Sequence, residues 1–222
     1  QFPAGFFETN PDSYLYEFLK YKEKYAGRIK LRFGIELGMQ PHLSKKNAAF
    51  AKAHEYDFII ASSHLCNGQD PGFPEFYEDK TQEEGYRIYF ESILDNLKVY
   101  SNFDVYGHLD YVVRYGPKKD EGYSYEKYRD IFDAILKKLI AEGKGIELNT
   151  KGLSKGLRDV NPCTAIIRRY RELGGEIITV GSDAHTPEQI AAHFDQAAAI
   201  LTACGFRYYC TFENRTAAFH KL

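Results

Sequence analysis

Five short runs of β-branched and aromatic residues recur along this chain, each followed by a segment of helical spacing. That alternation limits the fold more than any other feature. The runs cover residues 28–37, 57–63, 103–107, 145–149 and 176–180. Short apolar runs bounded by turn residues suit strands covered on both faces. Between them, Thr81-Gln82-Glu83-Glu84 reads as a capping box, opening a helix that carries Tyr86, Tyr89, Phe90, Ile93, Leu94 and Leu97. Ser124 predicts the cap of a second helix with Tyr125, Tyr128, Phe132, Ile135, Leu136 and Leu139, closed by Gly143. Asn161-Pro162 opens a third, which stops at Gly174-Gly175. Thr186-Pro187-Glu188-Gln189 reads as cap, first-turn proline and capping box of a helix running through an Ala-rich stretch to Gly205. Shorter helices are predicted at 11–26 and 44–55, and a last strand-like run at 206–212.

Strands alternating with helices argue an α/β fold with a parallel sheet flanked by helices. A closed barrel is preferred to an open sheet, because a ring gathers all five strand ends around one pocket. The 222 residues suit one domain, read as 1–222, with no Pro- or Ser-rich linker. The loop from Cys66 to Lys80 is long and aromatic, which suits equally a lid over the strand ends or a packed surface loop.

The carboxyl ends of these strands carry the chemistry. They hold Glu36, His64, His108 (with Asp110 two residues on), Glu147 with Asn149, and Asp183 with His185 in Gly181-Ser182-Asp183-Ala184-His185. Residues two apart on a strand share a face, so each of the last two pairs points one way. A lone histidine at a strand end is more often a hydrogen-bonded core or surface residue. Five such ends at one rim match the place where strand–helix barrels build catalysis. Imidazoles and carboxylates converging on a pocket are ligands for zinc, manganese or iron. Paired metals clamp both oxygens of an in-line displacement and make hydroxide available at neutral pH, so phosphoester hydrolysis is the natural reaction class, with Glu36 as a bridging ligand. Arg114 and Arg158 lie in loops leaving the rim and suit a phosphate better than Lys118 or Lys151. Ser62-Ser63-His64 is not a nucleophile beside its base: neither serine stands in a G-x-S-x-G elbow, and neighbouring strand residues face opposite ways.

Composition narrows the partners. A net charge of −2 with scattered basic residues argues against a nucleic-acid groove. The apolar runs are too short to span a membrane, and no signal-peptide pattern opens the chain. Four cysteines without metal-type spacing suit a reducing cytoplasm. Nothing in the sequence fixes an oligomeric state.

Gly34-Ile35-Glu36, Ser62-Ser63-His64, Gly107-His108-Leu109-Asp110, Glu147-Leu148-Asn149 and Gly181-Ser182-Asp183-Ala184-His185 resemble successive motifs of the polymerase and histidinol phosphatase superfamily. Glu36 to His42, Asp110 to Gly116 and Tyr170 to Gly175 are similar, more narrowly, to its monofunctional histidinol-phosphatase branch. The resemblance spans essentially the whole chain. It implies a distorted (β/α)7 TIM-like barrel with three divalent metals, acting on the small phosphate ester L-histidinol phosphate through a metal-bridging hydroxide. It further implies that Glu36 bridges two metals, His64 and His108 ligate one of the pair, Asp183 the other, and His185 the third. Arg114 and Arg158 would hold the phosphate, His42 would touch the substrate, and Asn149 and Glu147 would shape the pocket. Lys151 departs from the pattern, standing where this branch usually has a small residue.

A larger departure is that the family's opening Asp-x-His-x-His motif, and a further histidine on its second strand, are not present in this sequence. The barrel is therefore expected to lack about two strand–helix units, roughly fifty residues, leaving exposed strand edges and impaired catalysis. The competing readings are another phosphoesterase of the superfamily acting on a nucleotide or sugar phosphate, an amidohydrolase-type barrel, and an inactive remnant.

Overall fold

A computed structural model describes residues 8–222. Five parallel strands form one sheet in chain order: β1 (Gly34–Gly38), β2 (Phe58–Ser62), β3 (Val105–Tyr106), β4 (Gly145–Asn149) and β5 (Ile178–Gly181). The register sets Glu36 beside Ile60, Ile60 beside Val105, and Asn149 beside Gly181. All five predicted runs are strands, and their order and sense match a TIM-like arrangement. The ladder ends at β1 and β5, so it does not close into a ring among the described residues.

Alternation divides the strand residues into two layers. Leu37, Ile59, Ala61, Tyr106, Ile146, Leu148 and Ile178 join the main core, where the helices cover them. The helices are α1 (Pro11–Lys24), α2 (Ser44–Ala53), α3 (Gln82–Val99), α4 (Arg129–Ala141), the short α5 (Lys151–Ser154), α6 (Thr164–Glu172) and α7 (Phe194–Ala203). In α3, Tyr86, Tyr89, Phe90, Ile93 and Leu97 are buried at the expected spacing, and the Thr81 capping box forms in full. Phe90 lies 4.5 Å from Phe132 of α4, between ring centroids. Truncating such a ring costs about 3–5 kcal/mol.

Several boundaries differ from expectation. Ser124 makes no side-chain cap; a 3-10 turn at Tyr125–Tyr128 precedes α4. The helix expected from Thr186 to Gly205 is broken into a 3-10 turn at Pro187–Gln189 and α7, with left-handed Ala191 and His193 between them. The Cys66–Lys80 loop is packed: Phe76 is buried, and a Cβ on Gly85 of α3 would lie 2.8 Å from Tyr77.

The run expected at 206–212 is indeed extended, but it does not add to the parallel sheet. It forms β6 (Tyr208–Glu213), which pairs antiparallel with β7 (Thr216–Lys221). Asn214 and Arg215 turn the hairpin, both at positive φ as a two-residue type I′ loop requires. Cys210 and Phe212 of this hairpin pack on Val105, Phe58 and Ile60, the inward side chains at the amino-terminal half of the sheet. Phe58 and Phe212 stack at 4.9 Å.

The hairpin turn also satisfies the amino-terminal ends of the strands. Asp57 accepts the Phe33 and Asn214 amides at 2.8 and 3.0 Å. Asp104 accepts the Ile59 amide at 2.7 Å and Arg215 Nε at 2.7 Å. Two buried carboxylates at this end therefore have their donors supplied by backbone and arginine.

Candidate metal centre

The opposite, carboxyl-terminal ends are lined by the inward residues of the same strands: Glu36, Ser62, Gly107, Glu147, Asn149 and Gly181. Two glycines make the space. A Cβ on Gly181 would fall 2.1 Å from Glu147 Oε1, and one on Gly107 would fall 2.6 Å from Ser62 Oγ. Real Cβ atoms do not approach so closely, so a side chain at either position would displace the Glu147 carboxyl or the Ser62 hydroxyl from this layer.

Above this floor, Glu36, His64 and His108 bring three ligand atoms within 4.8 Å of one another. Glu36 Oε1 lies 3.3 Å from both His64 Nε2 and His108 Nε2. Tyr111 packs its ring against both imidazoles, with centroids 4.9 and 5.0 Å away. Burial opposes ionisation of Glu36, but the two histidines, by hydrogen bond and by charge, outweigh it and hold the carboxyl well below its ordinary range. Burial pushes the His108 imidazole the other way, down, against the pull of Glu36. A neutral His108 and an ionised Glu36 are the protonation states that ligate a cation. His108 Nδ1 is buried without a hydrogen-bond partner among the described residues. Two imidazoles and one carboxylate are a donor set for borderline divalent ions such as zinc, so the residues present fit a metal.

Glu147 lies beneath, accepting the His108 amide at 3.2 Å and Asn149 Nδ2 at 3.0 Å. Burial, reinforced by the charges of Glu36 and Asp183, pushes its carboxyl up to about 7. Asp110 does not join the centre. It accepts from Asn161 Nδ2, the Cys163 amide and Tyr123 and so anchors the loop before α6. Burial raises its carboxyl to about 6.

Asp183 and His185 stand apart from the Glu36 group. Asp183 adopts φ 50° and accepts at Oδ2 from Arg114 Nη1 at 2.7 Å. His185 is 73% exposed in its side chain, with Nδ1 2.8 Å from the Asp183 carbonyl. Arg114 is buried and held through all three of its guanidinium nitrogens: besides the Asp183 bond, Nε donates to Asn161 Oδ1 at 2.8 Å and Nη2 to Asn149 Oδ1 at 3.0 Å. Arg158 is the opposite case. It is exposed, and among the described residues only its backbone amide is bonded, to Asp120. His42 is exposed in a 3-10 turn and lines a cleft of about 230 Å³ with Gln40, Leu65, Asn67, Asp95 and Asn96, a set that includes none of the Glu36 group.

Asn161 was expected only to open a helix. Its side chain instead bridges Arg114 and Asp110, while its backbone pairs with Asn149 in both directions at 2.7 and 2.9 Å. Tyr111 lies in the Asp110 to Gly116 segment, but the sequence assigns it no place in the site, since a wall residue is defined only by what it faces.

The PHP domain family matches residues 5–151 of this chain. A Clostridium acetobutylicum protein named a probable histidinol-phosphatase is 31% identical over 203 residues, spanning 91% of this chain and 77% of its own. The histidinol-phosphatase of Lactococcus lactis subsp. lactis is 30% identical over 214 residues, spanning 96% and 79%. The crystal structure of histidinol phosphate phosphatase from that species, complexed with zinc, L-histidinol and phosphate, matches with a TM-score of 0.87 at 29% identity. It covers 98% of this chain and 82% of that one. A Listeria monocytogenes structure, at 20% identity and a TM-score of 0.71, agrees in fold.

Proposed function

The chain belongs to the PHP domain family, and from that premise we propose that it is a metal-dependent phosphomonoesterase converting L-histidinol phosphate to L-histidinol and phosphate in histidine biosynthesis. The observation that carries this reading is the Glu36–His64–His108 group, in a fold that matches an enzyme holding zinc, L-histidinol and phosphate.

In this proposal the full complement is three divalent ions, zinc, manganese or iron. Glu36, His64 and His108 hold one side of the centre, and Asp183 and His185 the other. Such ions, when bound, neutralise phosphoryl oxygens and lower the pKa of water toward neutrality. The chain's own residues bind and orient the ester. Arg158, whose guanidinium has no partner among the described residues, takes the phosphate. Arg114 spends three of its five N–H donors on Asn161, Asp183 and Asn149; the rest remain for the same anion, on a rigidly held fork. Asn149 keeps that fork aligned. His42 meets the substrate from the neighbouring cleft.

The complete (β/α)7 ring, of which β1–β5 are members, belongs to the same proposal; its support is that β1 and β5 pair on one side only. So do a single domain over 1–222, supported by one main core running from Phe33 to Phe206, and residence in the cytoplasm, supported by four free cysteines. No helix among the described residues is long and apolar enough to cross a membrane.

The test is phosphate release from L-histidinol phosphate, with zinc or manganese supplied, beside a nucleoside monophosphate and a sugar phosphate. A rate, however low, that favours L-histidinol phosphate and vanishes in Glu36→Gln is expected. Arg158→Ala should raise KM more than it lowers kcat. Equal rates on all three esters would point to another phosphoesterase of the family, and release that survives Glu36→Gln would overturn the reading.

A further inference from the structure

The turn that carries Asp183 and His185 is held by two side chains with no assigned role. Lys151, at the start of α5, is buried, and its Nζ donates to the Asp183 carbonyl at 3.1 Å and to Gln189 Oε1. The same Gln189 Oε1 accepts the His185 amide at 3.0 Å. Gln189 therefore does not close a capping box on Thr186; its side chain reaches one residue further back and joins Lys151 to His185. The Asp183 carbonyl receives two donors, Lys151 Nζ and His185 Nδ1 at 2.8 Å. A carbonyl oxygen can only accept, so Nδ1 must carry the proton in this arrangement. In the neutral ring Nε2 then holds the lone pair, and no partner occupies it among the described residues. Asp183 sits in the left-handed region, at φ 50°, where a non-glycine residue persists only when its surroundings hold it. The ammonium–carbonyl bond is such a hold.

We propose that Lys151 and Gln189 form a clamp that positions His185 as a ligand, fixing both the strained Asp183 turn and the ring tautomer that offers Nε2. They are positioning residues, acting through the Asp183 carbonyl and the His185 amide. The inference rests on the reading of His185 as a metal ligand, but the clamp itself is a property of the metal-free chain. A supporting contact of this kind changes metal affinity by about 10–100-fold when removed.

Two measurements separate the parts. Nitrogen-15 NMR of the imidazoles in the metal-free protein, assigned with His185→Ala, reports the tautomer. Zinc titration reports stoichiometry and affinity. In the wild type, His185 should be protonated on Nδ1. Gln189→Ala and Lys151→Met should each give mixed tautomers and weaken the most weakly held zinc by about tenfold or more, while Lys118→Met, outside the clamp, changes neither. An unchanged tautomer in both clamp variants would overturn the clamp and leave the metal reading intact. A shifted tautomer with unaltered zinc binding, together with full stoichiometry in His185→Ala, would remove His185 from the ligand set and with it the clamp's purpose.

Discussion

The two ends of the same five strands treat carboxylates in opposite ways. At the amino-terminal end, Asp57 and Asp104 are buried and saturated by backbone amides and by Arg215. At the carboxyl-terminal end, Glu36 faces two histidines, His108 Nδ1 and Ser62 Oγ are buried without partners among the described residues, and Glu147 is pushed toward neutrality. Buried polar groups are normally paired, and an unpaired one costs about 1–3 kcal/mol. At one end the carboxylates are completed by the protein's own donors. At the other, imidazole and carboxylate atoms converge where a cation can use them. That contrast follows the division of strand–helix barrels into a stabilising face and a reactive face.

The sharpest way to break the comparison is to neutralise one carboxylate at each end. Glu36→Gln should take phosphate release below detection, a fall of at least roughly a thousandfold and the loss of several kcal/mol of transition-state stabilisation, with little change in melting temperature. Asp104→Ala should do the reverse. It strands the Ile59 amide and Arg215, and denaturant titration should show a loss of about 3 kcal/mol with turnover per folded molecule intact.

A smaller effect separates the ends by pH. Burial would raise the Asp57 carboxyl, but the Asn214 and Phe33 amides and the charge of Arg32 outweigh it and lower it below its ordinary 3.8. The unfolded chain then takes up this proton first as pH falls. Asp57 thus contributes stability above that value, and the contribution is lost as pH drops through the folded one. Acid titration of stability should fall less steeply in Asp57→Asn than in the wild type; parallel curves would show that the amides give Asp57 no advantage. Smallest of all, Ser62→Ala removes a buried hydroxyl without a partner and should leave the metal-free protein unchanged or stabilise it by up to about 1 kcal/mol. A marked loss of stability would mean that the reactive end is as fully satisfied as the other.

Much of this contrast was legible in the sequence, and the parts that were not share a cause. Strands and the residues at their ends could be read because apolar runs and alternation are local. The Thr81 box was legible for the same reason. Gln189 was misread because its capping pattern is real but loses to Lys151, 38 residues away in sequence. Asn161 has a local meaning before proline, and its structural one comes from Arg114 and Asp110, far upstream. The hairpin was half seen: Phe206 to Phe212 alternates clearly, whereas Thr216 to Lys221 is mostly exposed and carries little pattern. Its positive-φ turn at Asn214-Arg215 also lacks the glycine that usually marks one. Arg114 reads from the sequence as a rim residue, and position alone does not tell that its guanidinium is held by Asn161, Asp183 and Asn149.

Zinc titration of the wild type, Glu36→Gln and Asp104→Ala at neutral pH tests the central claim most directly. Zinc binding by the wild type and by Asp104→Ala, with a site lost in Glu36→Gln, is the predicted result. Equal binding by all three, or loss in Asp104→Ala alone, would contradict the assignment of the metal centre to the carboxyl-terminal ends.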